Sequence, residues 1–70
     1  MAIADQFGRN LYIARRQAGM TQGEVAAKVH VHQSLLSRCE SGVRCPSIDL
    51  AVALAEAVGV QVRDLLYGIG

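Results

Sequence analysis

At four places along the chain a glycine is followed directly by an apolar residue: Gly19-Met20, Gly42-Val43, Gly59-Val60 and Gly68-Ile69. Each pair reads as a helix stop. Glycine enters the left-handed conformation just past a helix without a Cβ clash, and the apolar residue beyond it folds back on the last turn. Start signals lie between the stops. Thr21-Gln22-Gly23-Glu24 fits a capping box, in which the threonine hydroxyl accepts from the backbone N–H three residues on and the glutamate reaches back. Pro46-Ser47 precedes another start, with Asp49 in the first turn, where the helix dipole favours an anion. These marks predict about five helices, over 4–18, 22–29, 33–41, 48–58 and 62–67.

Apolar spacing agrees with that division. Phe7, Leu11, Ala14 and Ala18 lie on one stripe, Val25, Ala26 and Val29 on a second, and Ile48, Ala51, Val52, Ala55 and Val58 on a third. No strand pattern competes, so the fold class is all-α. Short connections should make consecutive helices neighbours in space. With 70 residues, 51% of them hydrophobic, residues 1–70 form one small domain. A chain this short buries only ~60% of its unfolded surface, so a partner subunit would add needed apolar cover. Two cysteines are too few for a disulfide scaffold, and MAIADQFGRN lacks a signal-peptide apolar run, which points to a thiol-reduced, cytoplasmic setting. The apolar stretch from Ile48 to Val60 falls short of the ~20 residues that span a bilayer, so no membrane role is expected.

The net charge of +1 conceals an uneven distribution. Residues 1–45 carry Arg9, Arg15, Arg16, Lys28, Arg38 and Arg44 against Asp5, Glu24 and Glu40, a balance of +3. The rest carries Arg63 against Asp49, Glu56 and Asp64, a balance of −2. Any contact with a polyanion therefore belongs to the first two-thirds of the chain.

That region contains Thr21 to Gly42, where two short helices flank the turn His30-Val31-His32 in a helix-turn-helix arrangement. Neither helix can bury a core alone, so the first and fourth helices must supply the floor. Along the third helix, Leu36, Cys39 and Glu40 fall on one arc, and Gln33, Ser34, Ser37 and Arg38 on the opposite one, with Leu35 at the boundary. The second arc lacks the Glu/Lys pairs of an ordinary wetted face. In a B-DNA major groove, Gln pairs bidentately with adenine, Arg with guanine, and Ser with several base edges. Gln33 and Ser34, at the amino-terminal end, would reach deepest.

The pieces RRQAGMTQGEVAAKV, LLSRCESG and PSIDLAVALAEAVGVQVRDLL resemble, in order and spacing, the phage-repressor and Cro-like helix-turn-helix domains of the XRE family, from about Leu11 to Leu66. The resemblance implies a compact five-helix lambda-repressor-like domain whose helices 2 and 3 form the helix-turn-helix. It implies that Gln22 braces a DNA phosphate and the neighbouring recognition residue; Thr21, Arg16 and Arg44, and with them Lys28, are further phosphate candidates by position. It also implies a partly buried ion pair between Arg15 and Glu40. The chain departs from the family pattern at His30, which replaces a turn glycine, and at His32, an N-cap where Ser or Thr is commoner. Gly23 weakens the second helix, and Leu50 and Ala53 stand where the family often has polar residues.

Each assignment has a plainer counterpart. The Gln33, Ser34, Ser37 and Arg38 arc could be a solvated face, and Arg15 and Glu40 two independent surface charges. Arg16, Lys28 and Arg44 could serve solubility alone, and Leu35 could touch a thymine methyl or cover the gap between helices. His30, His32, Cys39 and Cys45 are metal-ligand types without compact ligand-pair spacing, so no metal or other cofactor is expected; Cys39 reads as a small buried hydrophobe and Cys45 as an exposed thiol. No phosphate loop, carboxylate pair or activated nucleophile points to an enzyme. The resulting expectation is a DNA-binding transcriptional regulator, a homodimer on a palindromic double-stranded operator, joined through Val60, Val62, Leu65, Tyr67, Ile69 and Leu50. Concentration, cooperative occupancy or a regulatory protein partner would control it. The competing expectation is a helical protein-interaction module, antitoxin-like, with little DNA affinity.

Overall fold

A computed structural model describes residues 3–68. It contains α1 (Ile3–Gln17), α2 (Gln22–Lys28), α3 (Gln33–Glu40), α4 (Ile48–Val58) and α5 (Val62–Tyr67), with no strand among the described residues. The first three helices differ by one residue from the expected bounds, and the last two match them.

Local chemistry explains the boundaries. At the start of α2, the Glu24 backbone N–H donates to Thr21 Oγ1 at 3.1 Å, and the Thr21 N–H donates to Glu24 Oε1 at 2.9 Å, closing the expected box. Ser47 Oγ caps α4 by accepting the Leu50 N–H at 3.2 Å. At α5 the Gln61 N–H donates to Asp64 Oδ2 at 3.1 Å, a cap the sequence reading missed. The stops share one hydrogen-bond pattern, in which the residue after the turn donates five positions back: Met20 to Arg15, Val43 to Arg38 and Val60 to Ala55. Val31 donates to Ala26 in the same way, but the residue in the left-handed position there is His30, at φ 60°. The predicted fourth glycine stop is at Gly68, φ 105°; its partner Ile69 lies outside the described residues.

Phe7 and Leu11 of α1, Val25 of α2, Leu36 of α3, Leu54 of α4 and Leu65 of α5 form the centre of the core. Three expected core positions are corrected. Ala18 is exposed because it lies beyond the last turn of α1. Ile48 sits at the first position of α4, ahead of the core, and Val52 flanks the buried stripe, which runs through Ala51, Leu54, Ala55 and Val58. Packing also departs from simple succession. The helix α1 packs on α3, α4 and α5, while α2 packs on α3 and α4, and α4 on α5. The consecutive pairs α1/α2 and α3/α4 are not substantial interfaces, because the helix-turn-helix lies across a floor made by α1 and α4.

Gly8 permits a close approach of α1 and α3. A Cβ there would overlap the backbone carbonyl oxygens of Cys39 and Glu40, so α3 ends directly on the α1 backbone. Leu65, expected on a dimer surface, is instead fully buried, and its carbonyl accepts the Asn10 amide at 2.9 Å. Val60, Val62 and Leu50 are partly buried against the core, whereas Tyr67 is 78% exposed.

Candidate nucleic-acid interface

The helix α3 presents two faces. Leu36 and Cys39 are buried, and Gln33, Ser34, Ser37 and Arg38 are all exposed, so the polar arc read from the sequence is the outer face. Leu35 is half-buried against the core. His32 caps α3 in extended backbone geometry without a side-chain hydrogen bond.

Beneath α3 lies a hydrogen-bonded cluster. Arg15 Nε donates to Glu40 Oε2 at 2.6 Å and Arg15 Nη2 to Glu40 Oε1 at 3.1 Å, while Nη1 donates to the Met20 carbonyl at 2.9 Å. Gln22 Nε2 donates to Glu40 Oε1 at 3.0 Å. Hydrogen bonds to the Glu40 carboxylate hold the Arg15 guanidinium above its ordinary pKa despite burial. Four segments are joined this way: the end of α1, the turn after it, the start of α2 and the end of α3. Gln22 therefore makes its side-chain hydrogen bond to Glu40, at the far end of the recognition helix from Gln33.

An open depression of about 440 Å³ lies beside this cluster, lined by Arg15, Arg16, Gly19, Met20, Thr21, Gln22 and Gln33. It brings three of the phosphate-positioning candidates together with the first base-reading candidate. Arg44 is exposed but does not line it, and Lys28 lines a separate groove with His30 and Glu56. At Gly23 an added Cβ would meet Gln33 Oε1 at 3.4 Å, an ordinary contact with the end of a flexible side chain, so no close packing there requires glycine. The sequence reading missed Tyr12; its ring lies under the guanidinium groups of Arg15 and Arg16, and the three- and four-residue spacings on one helix carry that signal.

Cys39 is buried and Cys45 exposed, both as free thiols. Desolvation pushes the Cys39 thiol above its ordinary pKa. Among the described residues no three His, Cys, Asp or Glu side chains assemble into a metal-binding group. None of the described helices is long and apolar enough to cross a membrane.

A helix-turn-helix family model matches residues 11–65. An uncharacterized HTH-type transcriptional regulator of Sinorhizobium fredii, y4dJ, is 39% identical over 59 residues, which cover 84% of this chain and 77% of that protein. The clp gene regulator ClgR of C. glutamicum superposes with a TM-score of 0.91 at 28% identity, over 97% of this chain and 88% of that one. The restriction-modification controller protein C.AhdI of Aeromonas hydrophila superposes with a TM-score of 0.84 at 27% identity, over 89% of this chain and 94% of that one. The match to the family model spans the α1 cluster, the turn and the recognition helix, and ends at Leu65 in the core. With those elements in place, the chain belongs to the helix-turn-helix family of DNA-binding transcriptional regulators, of the XRE type.

Proposed function

We propose that this regulator binds double-stranded DNA sequence-specifically as a cytoplasmic homodimer, with one α3 in the major groove of each half of a two-fold operator. The observation that supports this most is the joint exposure of Gln33, Ser34, Ser37 and Arg38 on a helix held from beneath by Arg15, Glu40 and Gln22. A rigid helix carrying bidentate hydrogen-bonders can discriminate bases; a loosely held one loses that gain to ordering entropy. Thr21, Gln22, Arg16 and Arg44 supply phosphate contacts in this reading, which set register without reading sequence. Two copies roughly double the contact energy and can present helices ~34–36 Å apart. Tyr67, Val60, Val62 and Leu50 remain candidates for the contact between copies, with Ile69 outside the described residues; the buried Leu65 is withdrawn from that set.

Selection from a random DNA pool, followed by binding measurements on the selected site, tests the reading. Arg38→Ala should lose ~1–3 kcal/mol of preference for the selected site, whereas Arg44→Ala should weaken all sequences alike and lower the salt slope by about one. Identical behaviour of the two variants would reject the division of roles. Sedimentation that finds only monomers, with and without DNA, would reject the homodimer. A protein-docking module is the second reading, favoured by the low net charge and by Ile48, which is 80% exposed on α4. Retention of no DNA fragment at physiological salt would favour it.

A further inference from the structure

Tyr12 is 46% exposed on the outer side of α1, with two guanidinium groups over its ring. The Cζ atom of Arg15 lies 5.3 Å from the ring centroid and that of Arg16 lies 5.9 Å away, both within cation–π reach. The two cations differ in freedom. Arg15 is held by Glu40 and by the Met20 carbonyl, so it is a fixed support for the ring. Arg16 is exposed and lines the depression with Thr21, Gln22 and Gln33. Of the two arginines that line the depression, Arg15 is already matched by the Glu40 carboxylate, so Arg16 is the lining cation left for an anion.

An arginine that swings freely must surrender rotamer freedom when it meets a phosphate. One that already rests on an anchored aromatic face surrenders less. We infer that Tyr12 is a positioning residue: its ring holds Arg16 at the rim of the depression for a DNA backbone phosphate, and links that contact through Arg15 to Glu40 of the recognition helix. This rests on the DNA-binding reading above. The ring face does the holding, so the tyrosine hydroxyl is dispensable.

The test is a double-mutant cycle on the selected DNA site, with Tyr12→Leu, Tyr12→Phe, Arg16→Ala and Tyr12→Leu/Arg16→Ala measured across a salt series. Tyr12→Leu should weaken binding about two- to fivefold. Tyr12→Phe should bind as the wild type does, and Tyr12→Leu should cause no further loss once Arg16 is alanine. In the DNA-free wild type, the Arg16 δ and ε protons should show an upfield ring-current shift relative to those of Arg9 on the same helix. Equal losses from Tyr12→Leu with and without Arg16, or no loss, would overturn the inference. If Tyr12→Leu does not fold, the wild-type proton shift decides: its absence overturns the inference and leaves the DNA reading standing. A wild-type protein that retains no DNA at physiological salt overturns both.

Discussion

Arg15 of α1 and Glu40 of α3 stand 25 residues apart in the chain and meet in a forked pair, with Nε 2.6 Å from Oε2 and Nη2 3.1 Å from Oε1. Their side chains are 8% and 6% exposed, so water screens the attraction little and would not easily replace a lost partner. Removing either one leaves a desolvated charge. Arg15→Ala or Glu40→Ala should therefore cost ~3–5 kcal/mol in urea denaturation, a large share of the stability of a domain this size. Arg15→Lys should also be costly, because an ammonium group cannot reproduce the fork. A loss below ~1 kcal/mol for both alanine variants would place the pair among surface ion pairs.

Gly8 offers a test in which two effects oppose each other. Helix propensity favours alanine over glycine in a helix interior by ~1 kcal/mol. Here the added methyl would overlap the Cys39 and Glu40 carbonyl oxygens, and backbone atoms cannot swing aside as a side chain does. The clash should win. Gly8→Ala is expected to destabilise by ~1–3 kcal/mol and to loosen α3, read as faster amide exchange at Leu36 and Cys39. A stabilised variant would show that α1 and α3 are farther apart than described.

What was legible in the sequence depended on the range of the interaction. The boundaries of α2 and α4 follow from Thr21, Glu24 and Ser47, whose bonds close within three residues, and the outer face of α3 follows from its period. The Arg15–Glu40 pair came from the family resemblance, since nothing local to either residue announces the other. Gly8 was invisible for the same reason: its neighbour is the backbone at Cys39, on another helix. Leu65 was misplaced because α5 has only six residues, too few turns for its period to separate a buried face from an exposed one.

The α2 cap should leave a signature at acid pH. The Thr21 backbone N–H, followed by its hydroxyl, holds the Glu24 carboxyl below its ordinary value of 4.5. A depressed pKa means that the contribution is present above the unfolded-state value and is lost as pH falls through the folded-state one. The melting temperature of the wild type should therefore fall below about pH 4.5, and Glu24→Gln should show a shallower fall over that window. At neutral pH Thr21→Ala should cost ~0.5–2 kcal/mol. Parallel acid profiles for wild type and Glu24→Gln would show that the box is not formed in solution.

The two thiols should differ sharply in reactivity. Thiolate is the nucleophile, and Cys39 is buried, with its pKa raised by desolvation, while Cys45 is exposed. A maleimide at neutral pH should label one site per chain quickly, lost in Cys45→Ser, with the second appearing only as urea unfolds the domain. Fast labelling of Cys39 in Cys45→Ser would mean that the end of α3 opens readily, contrary to its close seat on Gly8.

The turn between α2 and α3 carries two residues that its geometry does not favour, and their replacement should stabilise the domain. His30 is held at φ 60°, where an L side chain costs ~1–2 kcal/mol, partly offset in glycine by its greater unfolded-state entropy. His30→Gly should therefore gain roughly 0.5–1 kcal/mol. His32 occupies the α3 N-cap without a side-chain bond, so His32→Ser should gain ~1 kcal/mol by accepting a first-turn N–H. Both residues are exposed, so neither change opens the core. At 4–8 °C per kcal/mol for a domain of about this length, the double variant should melt roughly 6–16 °C above the wild type. An unchanged melting temperature for His32→Ser would mean that the first turn of α3 is already capped in solution by another group.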